Sequence, residues 1–335
     1  MNTTGVGDLA QHLTLRRQNT DLKQQLNVLG DELASGRASD LAAALQGDYS
    51  YFADVERSLS INNSYKNSID EAVLFTSTMQ TTLDRIQTVS AGLGSDVLTA
   101  AASNSAVSFG AVSLGAQEDL RALVSSLNTS VAGRSLFGGT ATDTAPLMLA
   151  DDMLDELRTA VSGLTDATSI QTVVDDWFNA PGGGFETLGY QGSDTNLSPF
   201  QLAQDETVQF DLRADSAEIR DLLQQTAMAA LAGDSGLGLA ADVQRFLFLD
   251  AGTALMGTQA GITETRAGLG FVEERIEESL VRNSATKSSL EIAKSNMVGV
   301  DPFETATRLQ NVQSQLESLY IVTARLSRLS LADYI

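Results

Sequence analysis

The sequence predicts a mainly α-helical protein: a long-helix coiled-coil rod formed by the N- and C-terminal segments, carrying a small mixed α/β insertion. Three observations predict it. All four prolines fall at Pro146, Pro181, Pro199 and Pro302, so the first 145 residues and residues 200–301 lack the residue that breaks helices. Leucines near both ends recur by alternating threes and fours, the spacing of a coiled-coil seam. Between them, glycine clusters punctuate residues 136–215 into short pieces.

Taken in order, residues 1–47 open with Leu15, Leu22 and Leu29 seven apart and Leu26 and Leu33 interleaved, and Ser35-Gly36 then supplies a helix stop. Residues 48–135 read as the first half of the rod, with helices over about 48–95 and 103–133. Residues 136–215 form the insertion. Gly138 and Gly139 permit a sharp turn there, and Phe137 anchors it to the rod. Amphipathic helices are expected around 149–163 and 169–179, with Trp177 and Phe178 in a small core, and Thr207 to Leu212 alternates like a half-buried strand. The glycines of Pro181-Gly-Gly-Gly184 read most simply as a flexible loop.

Ser216 is the expected N-cap that returns the chain to helix. Residues 216–300 make the second half of the rod, with helices at 216–232, 239–258 and 262–298. In residues 301–335, Asp301-Pro302 supplies an N-cap and a first-position proline, and Leu309, Val312, Leu316, Leu319, Thr323 and Leu326 carry the second seam. A thirty-residue helix is about 45 Å long and too narrow to bury its own stripe. Each terminal helix therefore needs a partner, whether the other end of the chain, another copy, or both.

Composition excludes most chemistry. With no cysteine, disulfides, thiolate metal sites and cysteine nucleophiles are absent, and with His12 as the sole histidine a catalytic triad or multi-histidine metal site is not expected. His12 reads as a tolerated polar position on a helix. The densest acidic cluster, Asp151, Asp152, Asp155 and Glu156, lacks the spacing of a calcium loop and suits a helix N-terminus. Gly233-Asp-Ser-Gly236-Leu-Gly238 has no lysine and no preceding strand, so a phosphate cradle is not expected. Glu273, Glu274, Arg275, Glu277 and Glu278 read as a solvated helix face. The expectation is no enzyme, no metal and no cofactor.

A net charge of −22 disfavours nucleic acid and anionic membrane surfaces, and no run of 18 apolar residues spans a bilayer. A cleavable secretory signal is not expected, since the N-terminus lacks its basic start and apolar run. Charge is also uneven. Residues 1–35 and 301–335 each carry four acids and three bases, whereas residues 136–215 carry fourteen acids against Arg158 and Arg213. Near-neutral ends suit packing; an acidic middle suits solvent.

Several segments resemble the flagellin superfamily, and within it the hook-filament junction proteins. Leu33-Ala-Ser-Gly36-Arg37-Ala-Ser-Asp40 is similar to the superfamily's turn after its first helix. Gly133-Arg-Ser-Leu-Phe137-Gly138-Gly139-Thr140, followed by Thr142-Asp-Thr-Ala-Pro146, resembles the junction proteins' "G-R-Y-I-F-A-G … T-x-P", and Tyr190-Gln-Gly192 their "Y-x-G". Thr265-Arg266-Ala-Gly-Leu269-Gly270 is similar to the "R-A-x-L-G" helix, and Ser327 to Ile335 to the family's terminal "S-L-x-x-Y/F-L". Ser39-Asp-Leu-Ala stands where the family has "S-D-D-P", and the family's starting "R-I-S-T" is absent.

The resemblance implies a structural flagellar subunit, an adaptor joining hook to filament, exported through the type III channel and located outside the cell. It implies an inner coiled coil of the terminal helices, a helical layer from residues 48–135 and 216–300, and an outward 136–215. The implied partners are itself in a helical annulus, a neighbouring hook-associated protein, flagellin and an export chaperone. Flagellin itself, or a type III-secreted helical effector, are the other readings.

Overall fold

The computed structural model describes the backbone of residues 4–103 and 105–332 and the side chains of residues 10–103 and 105–326. Its elements run α1 (Thr4–Ser35), α2 (Leu41–Ala44), α3 (Ser50–Ser103), α4 (Ala106–Leu127), β1 (Ser130–Val131), β2 (Arg134–Ser135), α5 (Ala150–Val161), α6 (Ala167–Asn179), a π-turn (Phe185–Gly189), β3 (Phe200–Ala203), β4 (Glu206–Val208), α7 (Ala217–Ala232), α8 (Ala241–Val298) and α9 (Pro302–Ala332). The fold is mainly α, with two small antiparallel hairpins, β1–β2 and β3–β4. The chain divides into two compact units: Met1–Asn63 with Ser284–Ile335, and Ser64–Asn283.

The terminal unit is built on α1 and α9, which pack along each other. Gly36 ends α1 at φ +68°, a left-handed turn that glycine adopts without Cβ strain. The chain then pairs briefly with the segment before α9: Arg37 lies antiparallel to Gly299, the Ala38 N–H donates to the Val298 carbonyl at 2.8 Å, and the Val300 N–H donates to the Gly36 carbonyl at 3.1 Å. Asp40 caps α2, accepting from the Ala43 N–H. Asp301 caps α9 as expected, its Oδ1 accepting from the Phe303 N–H at 2.8 Å and the Glu304 N–H at 3.2 Å.

The central unit buries one continuous core. On α3 the buried positions Ile69, Ala72, Phe75, Met79, Leu83, Ile86, Leu93 and Val97 trace a single helical face. Helix α7 sits inside, with Leu222, Leu223 and Ala227 to Ala232 all buried. Phe75, Phe200 and Phe210 meet in one aromatic chain, while Trp177, Phe178 and Phe185 form a second under α6. Hairpin β3–β4 is tied to α8 by Arg282, which donates to Glu206 Oε2 at 2.6 Å, and by Arg275, which donates to the Thr207 carbonyl.

Several expected boundaries are corrected. The break expected between 258 and 262 does not occur; α8 runs through Gly257 and Gly261 because Leu255 and Ile262 on its inner face are both buried. Packing there outweighs a penalty of about 1 kcal/mol per glycine. Helix α3 likewise continues past residue 95, through Gly92 and Gly94, to Ser103. The helix expected over 103–133 stops at Leu127, since Ala132 and Gly133 at φ +51° and +78° make the hairpin turn between β1 and β2. The strand expected over 207–212 is confined to Glu206–Val208, and its partner β3 was not anticipated. Ser216 does precede α7, but its hydroxyl makes no capping bond.

Candidate functional site

No helix among the described residues is long and apolar enough to cross a membrane, and no group of three or more His, Cys, Asp or Glu among them is placed to hold a metal. Asp151 and Asp152 occupy the first turn of α5, where acids suit the helix dipole, and Asp151 and Asp155 pair with Arg121 and Arg158. His12 is exposed on α1. What the structure does assemble from the expected residues is a helix seam in one unit and a loop knot in the other.

The seam is built from both termini. On α1, Leu15, Leu22, Leu26 and Leu29 are half-buried, and on α9 Leu309, Leu316, Leu319 and Leu326 are half-buried while Val312 is buried. Leu33, the last of the expected series, is exposed. Sequence reasoning missed two polar members: Asn19, which divides the seven-residue step between Leu15 and Leu22 into four and three, and Thr305, which starts the α9 series four residues before Leu309. Tyr320 on α9 has its phenol held below its ordinary range by hydrogen bonds from Asn19 and Lys23 of α1, so the pairing has a polar register mark beside the leucines.

The two helices do not fully cover each other's stripes. Grooves remain along the pair, one of about 650 Å³ beside Val28, Leu29 and Val312 and another of about 540 Å³ beside Leu15, Leu22, Leu319 and Val322. Ile321, Val322 and Phe303 are 55%, 47% and 83% exposed on α9. Helices of this length with apolar side chains left open along both flanks have further packing capacity.

In the central unit, the motif residues Phe137, Gly138, Gly139 and Pro146 come together with Tyr190 and Gly192, far apart in sequence. Phe137 is fully buried, and its carbonyl accepts from the Ala214 N–H at 2.9 Å. The Ser193 N–H donates to the Gly138 carbonyl at 2.9 Å and the Thr140 N–H to the Thr195 carbonyl at 3.0 Å. Pro146 accepts from the Gln191 N–H at 2.8 Å, and Leu147 pairs with Tyr190. Gly139, at φ +62°, has no room for a side chain: a Cβ there would lie 2.3 Å from the Thr195 carbonyl oxygen.

Arg213 locks this knot, a role no spacing in the sequence announces. Its Nε donates to Asp215 Oδ1 at 2.8 Å, and its NH1 donates to the Asp194 carbonyl at 2.8 Å and to Asn196. Asn128 acts similarly from the end of α4, its side-chain amide exchanging two 2.9 Å hydrogen bonds with the backbone of Leu147. The Gly182–Gly184 segment is a packed turn rather than a flexible loop, since a Cβ on Gly184 would overlap the Trp177 indole. Arg134 lies over Phe75 at 5.1 Å and pairs with Glu71.

The Tyr190 hydroxyl donates to the Ser193 carbonyl at 2.8 Å, and burial, followed by the charge of Asp215, pushes its pKa up to about 12. The raised folded-state value means that the neutral phenol contributes stability below about pH 10, lost as pH rises through about 12. An alkaline absorbance titration of the native protein is expected to show a late phenol near 12 that Tyr190→Phe removes. A late component that survives the substitution would contradict the assignment.

The remaining motif residues lie apart. Arg266 of α8 donates to Gln87 Oε1 at 2.6 Å and pairs with Asp84 at 3.0 Å, while its carbonyl accepts from Gln80. Leu269 is buried and Gly270 faces open space. Arg266→Ala is expected to lower central-unit stability by about 1–2 kcal/mol, read from a denaturant midpoint with unchanged slope. Gly36 and Arg37 lie in the terminal unit. Of the terminal Ser327–Ile335 segment, the side chains and residues 333–335 lie outside the described residues.

Residues 254–335, which comprise the later part of α8 and all of α9, match the family model for the bacterial flagellin C-terminal helical region. No curated protein matches the chain. Among solved structures the chain is similar to FlgL of Bacillus cereus, with a TM-score of 0.51 at 15% identity over 72% of this chain and 100% of that one. A structure described as a flagellar hook-associated protein of Vibrio parahaemolyticus aligns with a TM-score of 0.49, also at 15% identity, over 73% of this chain and 94% of that one. At these identities the first of these likenesses speaks to the fold alone.

Proposed function

We propose that this chain is a structural, non-catalytic subunit of the bacterial flagellum, a hook-associated adaptor that joins hook to filament. The observation that carries the reading is the open seam: the two termini, remote in sequence, pair through matched 3-4 stripes and still leave apolar grooves along the pair. A helix pair with that surplus suits repeated packing against copies of itself, and a non-closing repeat of one contact generates a helical annulus. The match over residues 254–335 gives the seam a flagellar context.

In this reading the segments 1–47 and 301–335 form the polymerising coiled coil. Residues 48–135 and 216–300 supply the supporting helices, and the acidic 136–215 faces solvent. The partners are further copies, a neighbouring hook-associated protein and flagellin. The subunit is exported through the type III channel with a chaperone and works outside the cell.

The same family match favours a second reading, in which the chain is a filament subunit. A deletion strain viewed by electron microscopy, with flagellin assayed in the medium, separates the two. Bare hooks with shed flagellin are expected for the adaptor. Missing or altered filaments without shed flagellin would mean a filament subunit, and normal filaments would overturn both.

A further inference from the structure

Within the terminal unit, a polar groove of about 650 Å³ lies where Arg37, Glu56, Asn63, Lys287, Glu291 and Lys294 converge. It gathers three cations and two carboxylates, a positive excess in a chain whose net charge is −22. The carboxylates are already engaged: Glu56 pairs with Lys294, and Glu291 lies 3.9 Å from Lys287. Arg37 is not, since it forms no ion pair among the described residues.

The backbone under Arg37 is nonetheless firmly held. It bridges to Gly299, its own N–H donates to the Ser35 hydroxyl at 3.3 Å, and the Ser39 N–H donates to Glu32 Oε1 at 2.8 Å. An exposed guanidinium on a fixed backbone, flanked by two ammonium groups, presents a planar fork that matches a carboxylate. The complementary charge is abundant elsewhere in the same chain. Residues 64–283 carry 30 acids against 11 bases, whereas residues 1–63 and 284–335 together carry 13 acids and 10 bases.

We propose that this groove docks a carboxylate-bearing segment of residues 64–283 from a second copy of this chain, with Arg37 taking the carboxylate. The proposal deepens the self-assembling reading and rests on it. It makes the contact between copies partly electrostatic, so it orients the incoming subunit and weakens as salt rises.

The test uses an equal mixture of isotope-labelled and unlabelled full-length chain, assembled at low salt and imaged by electron microscopy. The assembly is then treated with a carbodiimide, which condenses a lysine amine with a carboxylate to an amide and takes up the water released. Mixed-isotope links from Lys287 or Lys294 to an Asp or Glu of residues 64–283 are expected. Arg37→Glu is expected to cut those links about tenfold, while Arg37→Lys keeps most of them. Polymer with lysine links only to Glu56 and Glu291 of the same chain, or links unchanged by Arg37→Glu, would overturn the docking but spare the assembly reading. Wild-type chain that forms no polymer would overturn both.

Discussion

Leu316→Asp is expected to abolish polymerisation while leaving the central unit folded. Leu316 sits in the middle of the α9 series, with Val312 and Leu319 a turn to either side, against the α1 stripe. A half-buried leucine contributes roughly 1 kcal/mol of burial, and an aspartate in its place adds the cost of desolvating a charge, for a total on the order of 2–4 kcal/mol. The α1–α9 pairing has little reserve to absorb that, because its seam positions are mostly only half-buried. Hydrogen exchange should report lost protection across α1 and α9 with unchanged protection in residues 64–283. Gln313→Asp, the same charge on an exposed face, should keep the pairing. Retained protection in the Leu316 variant, or polymer formed by it, would show that the seam is not what holds the ends together.

The seam was the most legible part of the molecule, and for a simple reason. A helix repeats every 3.6 residues, so a stripe of leucines declares both the helix and its buried face. Leu309, Val312, Leu316, Leu319, Thr323 and Leu326 are among the less exposed of the described side chains of α9, in the order the spacing predicts. Asn19 escaped because a polar side chain at a seam position carries no hydrophobic signal. Local punctuation misled where packing decides the outcome. Gly257 and Gly261 look like stops, yet the buried Leu255 and Ile262 carry α8 past them. The knot was half legible: Phe137 and the two glycines marked a turn, but the turn's partners lie more than fifty residues away. Arg213 and Asn128 hold it through backbone carbonyls, and such contacts leave no pattern in sequence.

Gly139→Ala is expected to be strongly damaging to the central unit. At φ +62° any L-residue carries a penalty of about 1 kcal/mol, and here the new Cβ would also stand 2.3 Å from the Thr195 carbonyl oxygen and 2.9 Å from that of Ser193. Neither oxygen is free to retreat. The Thr195 carbonyl is held by the Thr140 N–H, the Ser193 N–H is bonded to Gly138, and Arg213 grips the Asp194 carbonyl between them. Relief therefore means breaking bonds of the knot, which brings the cost to about 3 kcal/mol or more. For a unit of this size that corresponds to a fall in melting temperature of roughly 6–12 °C. Gly133→Ala is the control: Gly133 has the same left-handed backbone at φ +78°, but a Cβ there meets nothing within 4 Å, so only the strain of about 1 kcal/mol remains. The single tryptophan, Trp177, is packed against Phe178 and Phe185 in this unit and reports its melting by fluorescence. Equal falls for the two variants would mean that the Thr195 contact does not constrain the chain. A fall at least twice as large for Gly139→Ala would place the knot, and not backbone strain alone, at the origin of the glycine requirement.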